Sequence, residues 1–391
     1  MIRQLATADP EGDLEAKLMS IRAEVRAEYF ADEPFPWIVG FSGGKDSTLV
    51  AHLVFELLMY MPPSSRRRTV HIVSNDTLVE SPLVIGHIRN VQAQMRHAAD
   101  VFNLPVHVVT TQPRVDDTFW VNLIGRGYPS PNRSFRWCTD RMKIRPTSRY
   151  IREQVDVTGR AVLLLGVRRD ESAKRAVSVA KYDNGERLNR HNDMPGCMVF
   201  RPIVELSTED VWEFLASAPP PWGSSHADLI ALYRNSLGGE CPVVVQKSDA
   251  PSCGTSSSRF GCWTCTVVQK DRSLEGFVDA GFAEFGPLLA FRDWLSSIRN
   301  DPERRSARRR NGKYTINDSG TFVPGPFTSD TRSEILQRLL ALQETVGREL
   351  ISAVEVARIR EIWGEDAMAN SRHLMSADVA VIVRGDAQKN A

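Results

Sequence analysis

The strongest constraint on this chain is a strand, a glycine turn and a helix set end to end. Trp37-Ile38-Val39-Gly40-Phe41 is an apolar run of strand length. It enters Ser42-Gly43-Gly44-Lys45-Asp46-Ser47, and Leu49, Val50, Leu53, Val54, Leu57 and Leu58 then recur at helical spacing. Paired glycines let the backbone turn tightly and aim successive N–H groups at one point. A helix N-terminus adds unpaired donors and positive potential. The hydroxyls of Ser42 and Ser47 and the charge of Lys45 complete an anion site. It is not a Walker A loop, which would need glycine where Val39 stands and Ser or Thr where Asp46 stands.

Further apolar runs predict strands at Thr69 to Val73, Val106 to Val109, Ala161 to Leu165 and Met198 to Ile203. A helix is expected from about Pro82 to Phe102, and an N-terminal helix from Leu14, Leu18, Ile21, Val25 and Tyr29. Ser207-Thr208-Glu209-Asp210 reads as a helix N-cap with an acid in its first turn. Strands alternating with helices predict an α/β fold: a doubly wound, mostly parallel sheet with its ligand edge at the strand C-termini. The alternation stops near residue 216. Three parts are therefore expected: a nucleotide domain over 1–215, an irregular Cys-rich region over 216–300, and a basic segment with C-terminal helices over 301–391. The helices are placed at Ser333 to Glu349 and Val354 to Trp363.

Charge is balanced, with 49 Lys and Arg against 48 Asp and Glu. The clustering is informative. Residues 133–149 hold six basic residues and one acid, and residues 301–313 hold six and two. Arg304, Arg305, Arg308, Arg309 and Arg310 form the densest group, which suits either a DNA backbone or a solvated face. No apolar run reaches bilayer length and the first residues lack a signal-peptide core, so a cytoplasmic location is expected.

Four of the six cysteines, Cys241, Cys253, Cys262 and Cys265, crowd together in the pattern C-x11-C-x8-C-x2-C. Four thiolates hold either zinc or a 4Fe–4S cluster, and one close pair with two single cysteines leans to iron–sulfur. Cys138 lies among arginines that would stabilise a thiolate, so it is either a sulfur acceptor or an inert pocket residue. Cys197 reads as a small core residue.

The hexapeptide resembles the PP-loop of ATP pyrophosphatases. With it go Ser74-Asn75-Asp76-Thr77-Leu78-Val79-Glu80, Phe119 to Pro129, Phe135-Arg136-Trp137-Cys138-Thr139-Asp140-Arg141-Met142-Lys143-Ile144-Arg145-Pro146, and Leu165-Gly166-Val167-Arg168-Arg169-Asp170-Glu171-Ser172. Over roughly residues 35 to 275 these resemble the phosphoadenosine-phosphosulfate reductase superfamily, and within it the DndC and SspD ATP pyrophosphatases of DNA phosphorothioation. The resemblance implies that ATP adenylates a non-bridging phosphate oxygen of DNA, releasing pyrophosphate. Sulfur from a cysteine desulfurase persulfide then displaces AMP. It implies ATP, Mg2+ and a 4Fe–4S cluster as cofactors. The implied partners are DNA, the desulfurase and other phosphorothioation proteins, with no membrane and with homo-oligomerisation left open. By position, Ser42, Gly43, Gly44, Lys45, Asp46 and Ser47 would bind pyrophosphate, with Asp46 reaching magnesium directly or through water. Asp76 and Gly166 would contact nucleotide. Arg136, Arg141, Lys143 and Arg145 would neutralise phosphates, and Arg168 and Glu171 would lie on the active edge. The expected catalytic set is Lys45, Asp46, Cys138 and Arg168. Two alternatives stand beside this reading. One is a sulfonucleotide reductase or tRNA thiolation enzyme of the same superfamily, and the other is a non-catalytic, nucleotide-sensing DNA-binding assembly factor.

Overall fold

A computed structural model describes residues 10–31, 33–182, 185–223, 225–236, 261–310, 312–316 and 318–368. Six strands form one sheet: β1 Trp37–Gly40, β2 Val70–Asn75, β3 Val106–Thr111, β4 Ala161–Leu164, β5 Leu188–Arg190 and β6 Cys197–Phe200. Their order is β3-β2-β1-β4-β6-β5, and all pairs are parallel except β5 with β6. The helices are α1 Pro10–Tyr29, α2 Lys45–Tyr60, α3 Pro82–Val101, α4 Arg145–Thr158, α5 Ala173–Tyr182, α6 Thr208–Ser217, α7 Ala227–Asn235, α8 Arg272–Asp279, α9 Gly286–Ile298, α10 Ser329–Val346, and α11 over 353–368. The expected doubly wound α/β fold is present.

The central strands are apolar throughout because both faces are covered. On β1, Trp37 and Val39 face the large core with Val70, Ile72, Val162, Leu164 and Phe200. Ile38 faces the other side with Val73, Ala161, Leu163, Cys197 and Ile151 of α4. Burial pushes the Cys197 thiol up to about 11, which fits its expected role as an inert core residue. The large core runs without a break from Leu14 and Leu18 of α1 to Ile359 and Ile362 of α11. The three parts expected from composition therefore share one apolar interior among the described residues.

The order in which strands are added reverses between β1, whose successors β2 and β3 lie to one side, and β4, which sits on β1's other side. That is the topological switch point at which α/β sheets place their ligands. The hexapeptide after β1 and the Gly166–Arg168 segment after β4 meet there.

Several boundaries differ from the sequence expectations. β2 and β3 run two residues further, to Asn75 and Thr111. β6 ends at Phe200 rather than Ile203, where Arg201-Pro202 begins a turn. The antiparallel edge strand β5 and helices α4, α5, α7, α8 and α9 were not expected, and the last three fall within the stretch 216–300 that was expected to be irregular. α6 begins where expected, with a reciprocal box between Ser207 and Asp210. α10 starts at Ser329, capped by Thr328, and stops before Gly347, whose left-handed backbone (φ 60°) closes the helix.

Candidate active site

The loop after β1 is knitted by its own two serines. The Ser42 amide donates to Ser47 Oγ at 3.2 Å, and Ser47 Oγ donates to the Gly44 carbonyl at 2.9 Å. Gly43 has φ 74°, and a Cβ there would lie 2.5 Å from Ile88 Cγ1, so only glycine fits. His87 hydrogen-bonds the Gly43 backbone, and burial holds its imidazole below the ordinary value. Gly166 supports the loop from behind. A Cβ on Gly166 would lie 2.6–2.8 Å from backbone atoms of Asp46 and Ser47. This close approach explains why glycine follows β4, and it assigns Gly166 a packing role against the loop.

Lys45 and Asp46 open α2 and are both tied down. The Lys45 amide donates to the Tyr233 hydroxyl at 3.3 Å, and its ammonium lies 3.5 Å from Asp46 Oδ2 and 5.6 Å from the centre of the Tyr233 ring. Arg168 Nε donates to Asp46 Oδ1 at 2.6 Å. The remaining Arg168 donors reach the Leu206 carbonyl, Thr208 Oγ1 and Asp170. At 1 % exposure, Arg168 orients Asp46 rather than presenting itself to a ligand. With both Asp46 oxygens engaged, a magnesium ion would reach this carboxylate through water or by displacing Lys45.

Asp76 follows β2 and shapes the next turn. Its Oδ1 accepts from the Leu78 amide at 2.9 Å, supporting φ 65° at Leu78, and its Oδ2 accepts from Arg89 at 3.2 Å. Glu171 closes the short 3-10 turn Arg169–Glu171 beyond Arg168.

The turn after Asp76 meets the cysteine segment. Glu80 and Cys262 form an antiparallel bridge, and the Trp263 amide donates to the Val79 carbonyl at 3.0 Å. Cys262 Sγ lies 3.3 Å from Thr77 Oγ1, and Lys143 Nζ lies 3.3 Å from Glu80 Oε1. Lys143 is held above its ordinary value by Cys262 first, against a burial penalty, with Glu80 also raising it. Burial, then the neighbouring Cys265, raises Cys138, and burial followed by Glu80 raises Cys262. Arg292 of α9 and Arg299 just beyond it hold the segment: Arg292 donates to the carbonyls of Cys265, Val268 and Gln269, and Arg299 to those of Pro131 and Thr266. Cys138 thus belongs to the neighbourhood of Cys262 and Cys265 instead of standing apart. Cys241 and Cys253 lie outside the described residues. Among the described residues, no three side chains close on a point suited to a metal ion.

The basic residues divide by what they touch. Arg141 and Arg145 share Asp117, at 2.7 and 3.1 Å, and Arg141 also lies over the Tyr128 ring. Arg136 is exposed beside Phe135. In the second cluster Arg305 is a structural residue. Its guanidinium serves the carbonyls of Arg299, Pro324 and Gly325, and burial brings it down to about 10. Arg304 pairs with Glu334, and Arg310 with Asp366. Arg308 and Arg309 bond instead to Tyr314 and Thr315 of a neighbouring hairpin. Tyr233, His87, Thr77 and Glu80 were not singled out from sequence. Of these, Glu80 had a signal, since it ends the motif that begins at Ser74.

Residues 36–268 match the family model described as "Phosphoadenosine phosphosulfate reductase domain". Among curated proteins, an uncharacterised protein of Methanocaldococcus jannaschii is 24% identical over 187 residues, covering 48% of this chain and 32% of that one. The chain thus spans about a third of that relative's length. Solved structures with some likeness include phosphoadenylyl-sulfate reductase from Candida auris, at 13% identity over 55% of this chain and 90% of that one, TM-score 0.32. Another is the U34-tRNA thiolase NcsA from Methanococcus maripaludis with its 4Fe–4S cluster, at 15% identity over 66% and 90%, TM-score 0.32. A third is FMN adenylyltransferase from Candida glabrata, at 10% identity over 85% and 84%, TM-score 0.37 for one variant.

Proposed function

Because the chain belongs to the phosphoadenosine phosphosulfate reductase domain family, we propose that it is an ATP pyrophosphatase and sulfurtransferase of DNA phosphorothioation. The observation that carries the nucleotide half is the loop Ser42–Ser47 at the switch point, with Lys45 and Asp46 at the head of α2 and Gly166 behind them. Amides, a lysine and a helix N-terminus suit the β- and γ-phosphates of ATP, leaving the α-phosphorus as electrophile.

In this reading a DNA phosphate oxygen attacks the α-phosphorus and pyrophosphate leaves. The ester so formed turns that oxygen into a good leaving group. A persulfide sulfur then attacks the DNA phosphorus and AMP leaves. A second thiol must finally attack the inner sulfur and take the carrier cysteine as a mixed disulfide, leaving the outer sulfur on phosphorus as the phosphorothioate.

The residues present suit a cluster in kind: two of the expected thiols and Cys138 share one half-buried neighbourhood beside Lys143. We keep Cys241, Cys253, Cys262 and Cys265 as the ligand set and Cys138 as the neighbouring candidate sulfur acceptor. When bound, such a cluster would supply a sulfide-accepting, redox-capable centre. The chain's own residues fix its place, through the Glu80–Cys262 bridge and the Arg292 contacts.

The test is to incubate anaerobically prepared protein with ATP, Mg2+, DNA and a cysteine desulfurase with cysteine. Nuclease digests are then searched by mass for phosphorothioate-linked dinucleotides. Their appearance only with ATP is expected. Pyrophosphate release that tRNA stimulates and DNA does not would favour the tRNA thiolation alternative. Reduction of a sulfonucleotide without ATP consumption would favour the reductase.

A further inference from the structure

Residues 313–316 and 318–323 pair as a hairpin, with Ile316 bridged to Phe322 and the Val323 amide bonded to the Thr315 carbonyl at 2.9 Å. Its apolar side chains face solvent: Tyr314 is 59% exposed, Ile316 67% and Phe322 44%. The Tyr314 and Phe322 rings stand 6.3 Å apart, and the Arg308 guanidinium lies 5.2 Å from the Tyr314 centroid. Two aromatic rings and a cation in water at a hairpin tip are costly to leave bare and contribute nothing to the core.

Arg304 and Arg310 are paired with Glu334 and Asp366 and Arg305 is held on carbonyls, but among the described residues the side chains of Arg308 and Arg309 hydrogen-bond only to the neutral hydroxyls of Tyr314 and Thr315, so the complementary partner is a polyanion. Exposed rings with arginine are how proteins stack unpaired bases while following a phosphate backbone. A duplex hides its base faces, so this surface favours a single strand. The mounting is rigid. Arg305 bridges to Phe327, whose amide donates to the Gly127 carbonyl at 2.7 Å. Neither Gly127 nor Gly325 has room for a Cβ, which fixes the hairpin's base beside Tyr128, the partner of Arg141.

We propose that Tyr314, Phe322 and Arg308 form a stacking platform for single-stranded nucleic acid, with Arg309 beside its backbone. This rests on the nucleic-acid half of the reading above and specifies the form of the substrate. The test compares binding of labelled oligothymidylate and of a duplex of equal length, at one salt concentration, to the full chain and to the Tyr314→Ala/Phe322→Ala variant. Single-strand affinity is expected to fall about ten- to a hundredfold in the variant while duplex affinity is nearly unchanged. Tyr314→Phe should keep wild-type affinity, and all melting temperatures should agree. Equal loss on both forms, or no loss on the single strand, overturns the proposal. A wild-type chain that binds neither form overturns it as well. ATP binding measured by calorimetry without DNA reports separately on the nucleotide half.

Discussion

At the scale of single residues, the loop depends on two close approaches that only glycine permits. Gly166→Ala would force a methyl against the Asp46 and Ser47 backbone, with no flexible side chain to yield. Overpacking of this kind costs about 1–3 kcal/mol, and here it falls on the anion site. We expect the variant to fold with a lower melting temperature and to lose most of its ATP affinity, measured by calorimetry. A variant that loses neither would show that the contact is slack. The six loop residues were legible because chemistry and spacing coincide in one short segment. The partners of the loop were not. Arg168 is 122 residues from Asp46 in sequence, and Tyr233 is 188 from Lys45. Nor does a run of arginines reveal that Arg305 is spent on main-chain carbonyls while Arg308 faces outward.

At the scale of elements, α2 and α7 meet through two buried imidazoles. His52 Nδ1 lies 3.4 Å from His226 Nε2, walled by Phe214 and Trp222. Burial lowers His52 to about 3, with His226 and then Arg22 acting in the same direction, and lowers His226 to about 4, with His87 adding to it. Since both values lie below the ordinary 6.5, the unfolded chain takes up protons first on acidification. Their contribution is present in full above about pH 6.5 and is lost as pH falls towards the folded values. Melting temperature should therefore drop between pH 6.5 and 5, before most carboxylates titrate, and His52→Gln/His226→Gln should flatten that slope. An unchanged slope would show that other groups set it. Helix and strand existence was readable from apolar period, as in β1 and α3. The edge strand β5 was not, because Leu188-Asn189-Arg190 carries no alternation and is held by one neighbour alone. Helix α4 was hidden because it continues out of a π-helical turn across Arg145-Pro146.

At the scale of the whole molecule, one core joins the nucleotide sheet, the cysteine segment and the C-terminal helices. Trp120 donates to the Leu350 carbonyl and Trp363 to the Ile124 carbonyl, so α10 and α11 brace the π-helical turn Val121–Gly125 behind the basic segment. Composition suggested three parts because it records where patterns change and not which surfaces end up sharing an interior. The convergence of Cys138 with Cys262 and Cys265 was equally invisible, since more than a hundred residues separate them. All functional inference still turns on which bond of ATP is cut. The most direct measurement is to separate the nucleotide products of anaerobically purified protein given ATP, Mg2+, DNA and a cysteine desulfurase with cysteine, alongside Lys45→Ala. The account predicts AMP and pyrophosphate in equal amounts, slowed about a hundredfold or more by the substitution. Formation of ADP and inorganic phosphate, or undiminished turnover by Lys45→Ala, would contradict it.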